Sequence, residues 1–293
     1  MSLWRRNCRV SALLVFSVGA LAGFSPIFAL GQERPYFVTY SHQLEEPGNL
    51  ELAFKTVGAA PAGSGSFGSG TLEVEYGTTG WWTTELYLSG QKTSADSAVF
   101  TGFRLENRVR PFLREHWINP VLYLEFEDIN GSDKSFLDVV GHDGVGDFGG
   151  ASSETRTEKK RELELKLLLS GNRRGWNIAV NPVFEKNLSN HPWEFGYAIG
   201  ASRPLRLRAS AGLCALCPER FVAGLEMYGG LGDRNTPGLH QTSHYLSPTL
   251  QWLSHGGTAL TLGPAFGLNA NSAGLLVRMK FAYEFPQIFR RGQ

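Results

Sequence analysis

Twelve alternating segments, no long apolar run beyond the N-terminal leader, and connections that are short and long by turns predict an all-β fold for this chain. Alternation places successive side chains on opposite faces of a strand. A spanning helix needs about 20 apolar residues, which leaves strands as the only way for this chain to cross a bilayer. The expected architecture is a transmembrane antiparallel up-and-down barrel of twelve strands, with fourteen as the alternative.

Residues 1–31 read as a cleaved secretory signal. Arg5, Arg6 and Arg9 give a basic start, residues 10–21 an apolar run broken by Ser11, Ser17 and Gly19, and Ala29-Leu30-Gly31 a small-residue cleavage site. The mature chain is then expected to start at Gln32, with one barrel domain over 32–285 and a short tail over 286–293.

The strands are taken in order. Leu50, Leu52 and Phe54 oppose Glu51, Ala53 and Lys55; Leu72, Val74 and Tyr76 oppose Glu73 and Glu75; after a tight turn at 77–80, Trp82, Thr84, Leu86 and Leu88 oppose Thr83, Glu85 and Tyr87. The fourth segment sets Val99, Thr101, Phe103 and Leu105 against Arg104, Glu106 and Arg108. The fifth sets Leu122, Leu124 and Phe126 against Tyr123, Glu125 and Glu127, and the sixth sets Leu163, Leu165, Leu167 and Leu169 against Glu162, Glu164 and Lys166. Trp176, Ile178, Val180 and Phe184 mark the seventh, and Trp193, Phe195, Tyr197 and Ile199 the eighth. Segments 221–231, 245–252 and 258–268 follow, and the last runs from Leu275 to Phe285 with Arg278, Lys280 and Glu284 on its polar face. Residues 205–213 alternate as well and are expected to form a connection or an extension of the eighth strand.

With an even strand number and periplasmic termini, the short turns at 77–80, 171–175 and 254–257 fall inside, and the longer connections at 58–70 and 128–157 outside. Trp82, Trp117, Trp176 and Trp252 then gather near one interface, where amphipathic rings collect. The implied location is a bacterial outer membrane, with lipid as the surrounding partner and the barrel-assembly machinery engaging the C-terminal strand.

Net charge is +1 with no basic stripe, which argues against nucleic acid. Of three cysteines, Cys8 leaves with the leader, and Cys214 and Cys217 lie in Cys-Ala-Leu-Cys-Pro, a local disulfide or a pair of free thiols. Pro218 stands where haem attachment would need His, and no second ligand pair suggests zinc. Neither a cofactor nor a metal is expected; Asp128-Ile-Asn-Gly-Ser-Asp133 has calcium-like oxygens, but its Gly comes too early for an EF-hand, and Asx turns give the same composition.

The inward faces carry the candidate residues: Glu73, Glu75, Glu85, Glu106, Glu125, Glu127, Glu162, Glu164, Glu226 and Glu284, with Arg104, Arg108, Lys166, Arg278 and Lys280. They describe either an acid-leaning path for small solutes or charges paired across strands that close a structural or docking barrel. A hydrolase is the third class, and no enzyme is expected. Ser243 and His244 are adjacent and so point apart in a strand, His142-Asp143 is thin support, and the His-x-Ser-Asn-Gly run of outer-membrane phospholipases is absent.

Three stretches, Leu72-Glu-Val-Glu-Tyr-Gly-Thr-Thr-Gly-Trp81, Val222-Ala-Gly-Leu-Glu-Met-Tyr-Gly-Gly-Leu-Gly232 and the ending from Pro264 to Phe285, resemble outer-membrane proteins grouped with the meta-pathway phenol-degradation family. The resemblance implies a channel or facilitator for small molecules, hydrophobic or aromatic ones among them.

Overall fold

The computed structural model describes residues 34–61, 65–94, 96–135, 140–142, 144, 151–189, 191–208 and 214–288. The expected leader, Asp143, residues 209–213 and the end of the tail lie outside them.

Twelve antiparallel strands close into one barrel: β1 (Leu50–Ala59), β2 (Phe67–Thr79), β3 (Trp82–Thr93), β4 (Ala98–Val109), β5 (Asn119–Asn130), β6 (Lys159–Arg173), β7 (Trp176–Asn187), β8 (Trp193–Pro204), β9 (Phe221–Asp233), β10 (His244–Leu253), β11 (Thr258–Gly267) and β12 (Leu275–Phe285). Each pairs with its chain neighbours, and β12 pairs with β1, so no strand edge is left without a partner. The only helical pieces among the described residues are α1 (Ser152–Thr155) and a 3₁₀ turn (Pro218–Arg220).

Faces follow the alternation. Along β12 the side chains from Leu275 to Phe285 alternate exposed and buried, with Val277 61% and Phe281 47% exposed against Leu276 and Arg278 buried. An apolar outside and a polar inside invert the ordinary soluble arrangement and suit a lipid surround. One end of the barrel carries two-residue turns at β2–β3 and β6–β7, the other the long β5–β6 connection; these are called the turn end and the loop end.

Two details depart from the sequence reading, and a third agrees with one of its alternatives for residues 205–208. The alternation of β4 changes phase at a bulge: Ser89 pairs with Gly102 and Gly90 with Phe100, so Thr101 is buried rather than outward and Phe100 takes the outer face at 64% exposure. Gly102 adopts φ 140, and a Cβ there would overlap the Asp128 carbonyl, so only glycine fits. The connection expected at 58–70 is partly strand, with Gly58 paired to Gly68 and Ala59 to Phe67, because inward Ser69 finds the Lys134 carbonyl at 3.3 Å. Finally, Pro204 ends β8, and residues 205–208 belong to the turn-end connection.

Candidate functional site

Register turns the scattered inward glutamates into one line. Glu284 pairs with Glu51, Glu51 with Glu75, Glu75 with Glu85 and Glu85 with Glu106. From there Glu106 pairs with Glu125, Glu125 with Glu164, Glu164 with Glu185 and Glu185 with Glu194. Because the strands tilt, this row climbs from the turn end, where Glu51 opens β1, to the loop end, where Glu194 opens β8. Like charges directly opposite one another in a sheet repel. A row of acids is therefore a cost that other groups have to offset.

Cations reaching in from neighbouring rows supply that offset. The Arg108 guanidinium meets Glu75 at 2.5 Å, Glu106 at 2.8 Å and Glu85 at 3.2 Å. Lys280 lies 3.2 Å from Glu51 and 2.7 Å from Glu73, which Lys55 also contacts. Arg104 binds Glu127 at 2.6 Å and Asp133 at 2.7 Å, Lys166 binds Glu164 at 2.7 Å, and Arg278 binds Glu226 at 2.8 Å. Pairing of this kind holds buried charges where neither partner alone would be stable. The carboxylates of Glu51, Glu73 and Glu75 converge closely enough for a metal, but Lys55, Lys280 and Arg108 already occupy them.

All fifteen residues singled out in the sequence lie on the inner face; Lys166 and Glu284 are half-buried and the others buried. The sequence reading missed Glu51, Glu185, Glu194 and Lys55 as members of the constellation, although alternation was enough to place Glu51 and Lys55 inside. It also missed the segment that fills the lumen.

Residues 34–49 enter the barrel from the turn end, rise to mid-height and return to β1. Tyr36 donates to Asn177 at 3.1 Å and to Ser202 at 3.0 Å near the turn end. At the top, the backbone N–H groups of Phe37, Val38 and Thr39 donate to the Glu226 carboxylate at 3.0–3.2 Å. The Phe37 ring packs under the Arg278 guanidinium at 4.5 Å, in the space Gly263 leaves by having no side chain. Tyr40 receives a 3.1 Å neighbour in Glu106, to which its hydroxyl donates, and its backbone N–H donates to Asn181 at 2.6 Å. On the way down, Gly48 N–H donates to the Gly77 carbonyl at 2.7 Å.

Glu45 and His42 are among the titrating groups of this segment that are shifted. Burial, with Glu284 and Glu51 nearby, pushes the Glu45 carboxyl up to about 8. Burial also lowers His42, whose Nδ1 accepts a hydrogen bond from the Ser170 hydroxyl (2.5 Å) when Nε2 donates to the Glu115 carboxylate (3.2 Å). Ser, His and an acid are thus in hydrogen-bond reach. Ser170 is nonetheless buried and already accepts from the His42 backbone N–H at 2.7 Å, which leaves its oxygen no approach for a substrate. Of the other residues weighed in the sequence, His244 meets Tyr197 and Thr242 rather than Ser243, and His142 meets Thr236 at 2.8 Å, while Asp143 lies outside the described residues.

Above Tyr40 the lumen opens into a chamber of about 70 Å³ bordered by Phe37, Tyr123, Glu125, Lys166, Arg104 and Ser135, among others. On β8 to β12, toward the loop end from the Glu226–Arg278 pair, Ala198, Ala265 and Leu276 pack beside the stacked rings of Tyr228 and Tyr245. At the loop end the β5–β6 connection reaches across to β8 and β9, with Gly141 N–H donating to Phe195 and Gly232 N–H to Gly141. Asp128 pairs with Arg161 and Asp133 with Arg104, so the oxygens of that stretch do not converge. Cys214 and Cys217 are joined in a disulfide in the β8–β9 connection.

No protein-family model and no curated protein matches the chain. Solved structures do. The COG4313 outer membrane channel from Pseudomonas putida F1 aligns over 83% of this chain and 97% of its own at 11% identity and a TM-score of 0.48. The translocator domain of the autotransporter NalP from Neisseria meningitidis aligns over 81% and 88% at 12% identity and 0.40, and a bacterial polysaccharide outer membrane secretin over 82% and 100% at 10% identity and 0.37. The closed antiparallel barrel with its apolar outer face rests on this chain's own strands.

Proposed function

We propose that the protein is a narrow channel of the bacterial outer membrane for small solutes, with the turn end in the periplasm and residues 34–49 constricting that half. The chamber above Tyr40 carries this reading: its wall is largely apolar surface with charged side chains of the acid row and their cations set into it, and it has room for a few water molecules or one small solute. A purely structural barrel gains nothing from an open space between charged side chains, and such space is costly to keep. The resemblance of residues 72–81 and 222–232 to barrels of the phenol-degradation type supports small molecules as the cargo.

The paired charges favour a second reading, a closed barrel for scaffolding or docking. Single-channel recording of the protein in a planar bilayer separates the two. The channel reading expects resolved conductance steps and swelling of proteoliposomes in small solutes; silence in both would overturn it.

A further inference from the structure

Glu125 stands apart from every other charged side chain at the chamber. Lys55, Arg104, Lys166 and Arg278 each have a carboxylate, and Glu127 and Glu164 each have one of those cations. Glu125 is only 3% exposed, its Oε2 has no hydrogen-bond partner, and among the described residues no cation forms an ion pair with it. Its charged neighbours are Glu127, Glu164 and Glu106, with Arg104 and Lys166 the opposing charges that act on it from beyond ion-pair distance. An isolated buried carboxylate of this kind is among the most costly groups a fold can hold. It borders the chamber at the point where the acid row crosses mid-height.

The surroundings show which counter-ion fits. Next to Glu125, the Lys166 ammonium sits 2.7 Å from Glu164, 4.4 Å from the Tyr123 ring centre and 5.1 Å from that of Tyr40. Carboxylate plus aromatic faces is the recognition chemistry of ammonium ions, and the protein applies it here to its own side chain. We propose that Glu125 binds a small primary ammonium ion from solution, making the mid-lumen a selectivity point for organic cations of that class. The proposal rests on the channel reading for access to the chamber. It adds the identity of the solute.

Calorimetric titration of the full-length protein in detergent with methylammonium chloride tests binding directly. Wild type is expected to bind one equivalent, Glu125→Gln to bind at least tenfold more weakly, and Glu125→Asp to retain binding. Since Glu125 makes no hydrogen bond and no close ion pair, and stands among Glu127, Glu164 and Glu106, the Gln variant is expected to keep its heat-modifiable migration and at least wild-type thermal stability. No binding to wild type, equal binding to Glu125→Gln, or a variant that fails to fold would each overturn the proposal. Reversal potentials under a methylammonium chloride gradient keep it distinct from the channel reading. Binding without conductance would sink the channel and leave the site. Conductance with no cation preference would leave the channel and sink the site.

Discussion

Glu226→Gln is expected to release the lumenal segment without opening the barrel. The fully buried Glu226 carboxylate holds three backbone N–H groups at the top of residues 34–49 and the buried Arg278 guanidinium at 2.8 Å. Breaking a buried ion pair by neutralising one member costs about 3–5 kcal/mol, and hydrogen bonds to a charged group contribute about 1.5–3 kcal/mol each. The Gln oxygen still accepts from some of these donors, so a loss of about 4 kcal/mol in docking is a conservative value. At about 1.4 kcal/mol per factor of ten, the undocked population rises by roughly three orders of magnitude. The assay is the rate at which a maleimide reagent modifies Val38→Cys, introduced in a Cys214→Ser, Cys217→Ser background. The rate is expected to rise a hundredfold or more with Glu226→Gln, while the barrel keeps its β-sheet circular dichroism and heat-modifiable migration. An unchanged rate in a folded barrel would show that the Glu226 anchor does not hold the segment, and would refute the reasoning.

Other outcomes follow from the same structure. Glu45, held protonated up to about 8 where an exposed Glu ionises near 4.5, docks the segment fully below pH 4.5 and ever less firmly as the pH rises to 8, by about 1.4 kcal/mol per unit at most. The Val38→Cys labelling rate, corrected with an exposed control cysteine, should therefore increase from pH 6 to pH 8.5, and Glu45→Gln should flatten that increase. Burial lowers His42 from its ordinary value, which moves its titration toward the acid end of this window. Arg108→Met leaves Glu75, Glu85 and Glu106 without their shared cation and should lower stability in urea by about 3–5 kcal/mol; a change under about 1 kcal/mol would show that other groups carry the offset. Gly102→Ala should lower the thermal transition by several degrees, since the Cβ meets the Asp128 carbonyl at a backbone angle that disfavours any side chain; an unshifted transition counts against the bulge.

The faces of the barrel were legible because a period of two survives translation from sequence to strand: Arg278 and Lys280 point inward by parity alone. Register was not legible. That Glu125 lies between Glu106 and Glu164 depends on how many residues each turn consumes, and alternation carries no information about it. The phase change at Thr101 escaped for a related reason, since one bulged residue shifts parity without altering composition. Residues 34–49 gave no signal at all. Tyr36, Phe37 and Tyr40 follow no period because their partners are spread over nine strands rather than one neighbouring face.

The segment that fills the lumen has a consequence for the order in which the protein is built. Its top is held by Glu226, a residue 189 positions later in the chain than Phe37. Contacts across such separations form late, after the intervening loop has been closed. Residues 34–49 are made before any strand, yet their seat exists only once β9 stands beside β8 and Arg278 of β12 has come round to Glu226. The start of the barrel domain is thus the last part to settle, and its settling reports that the circle of strands is complete.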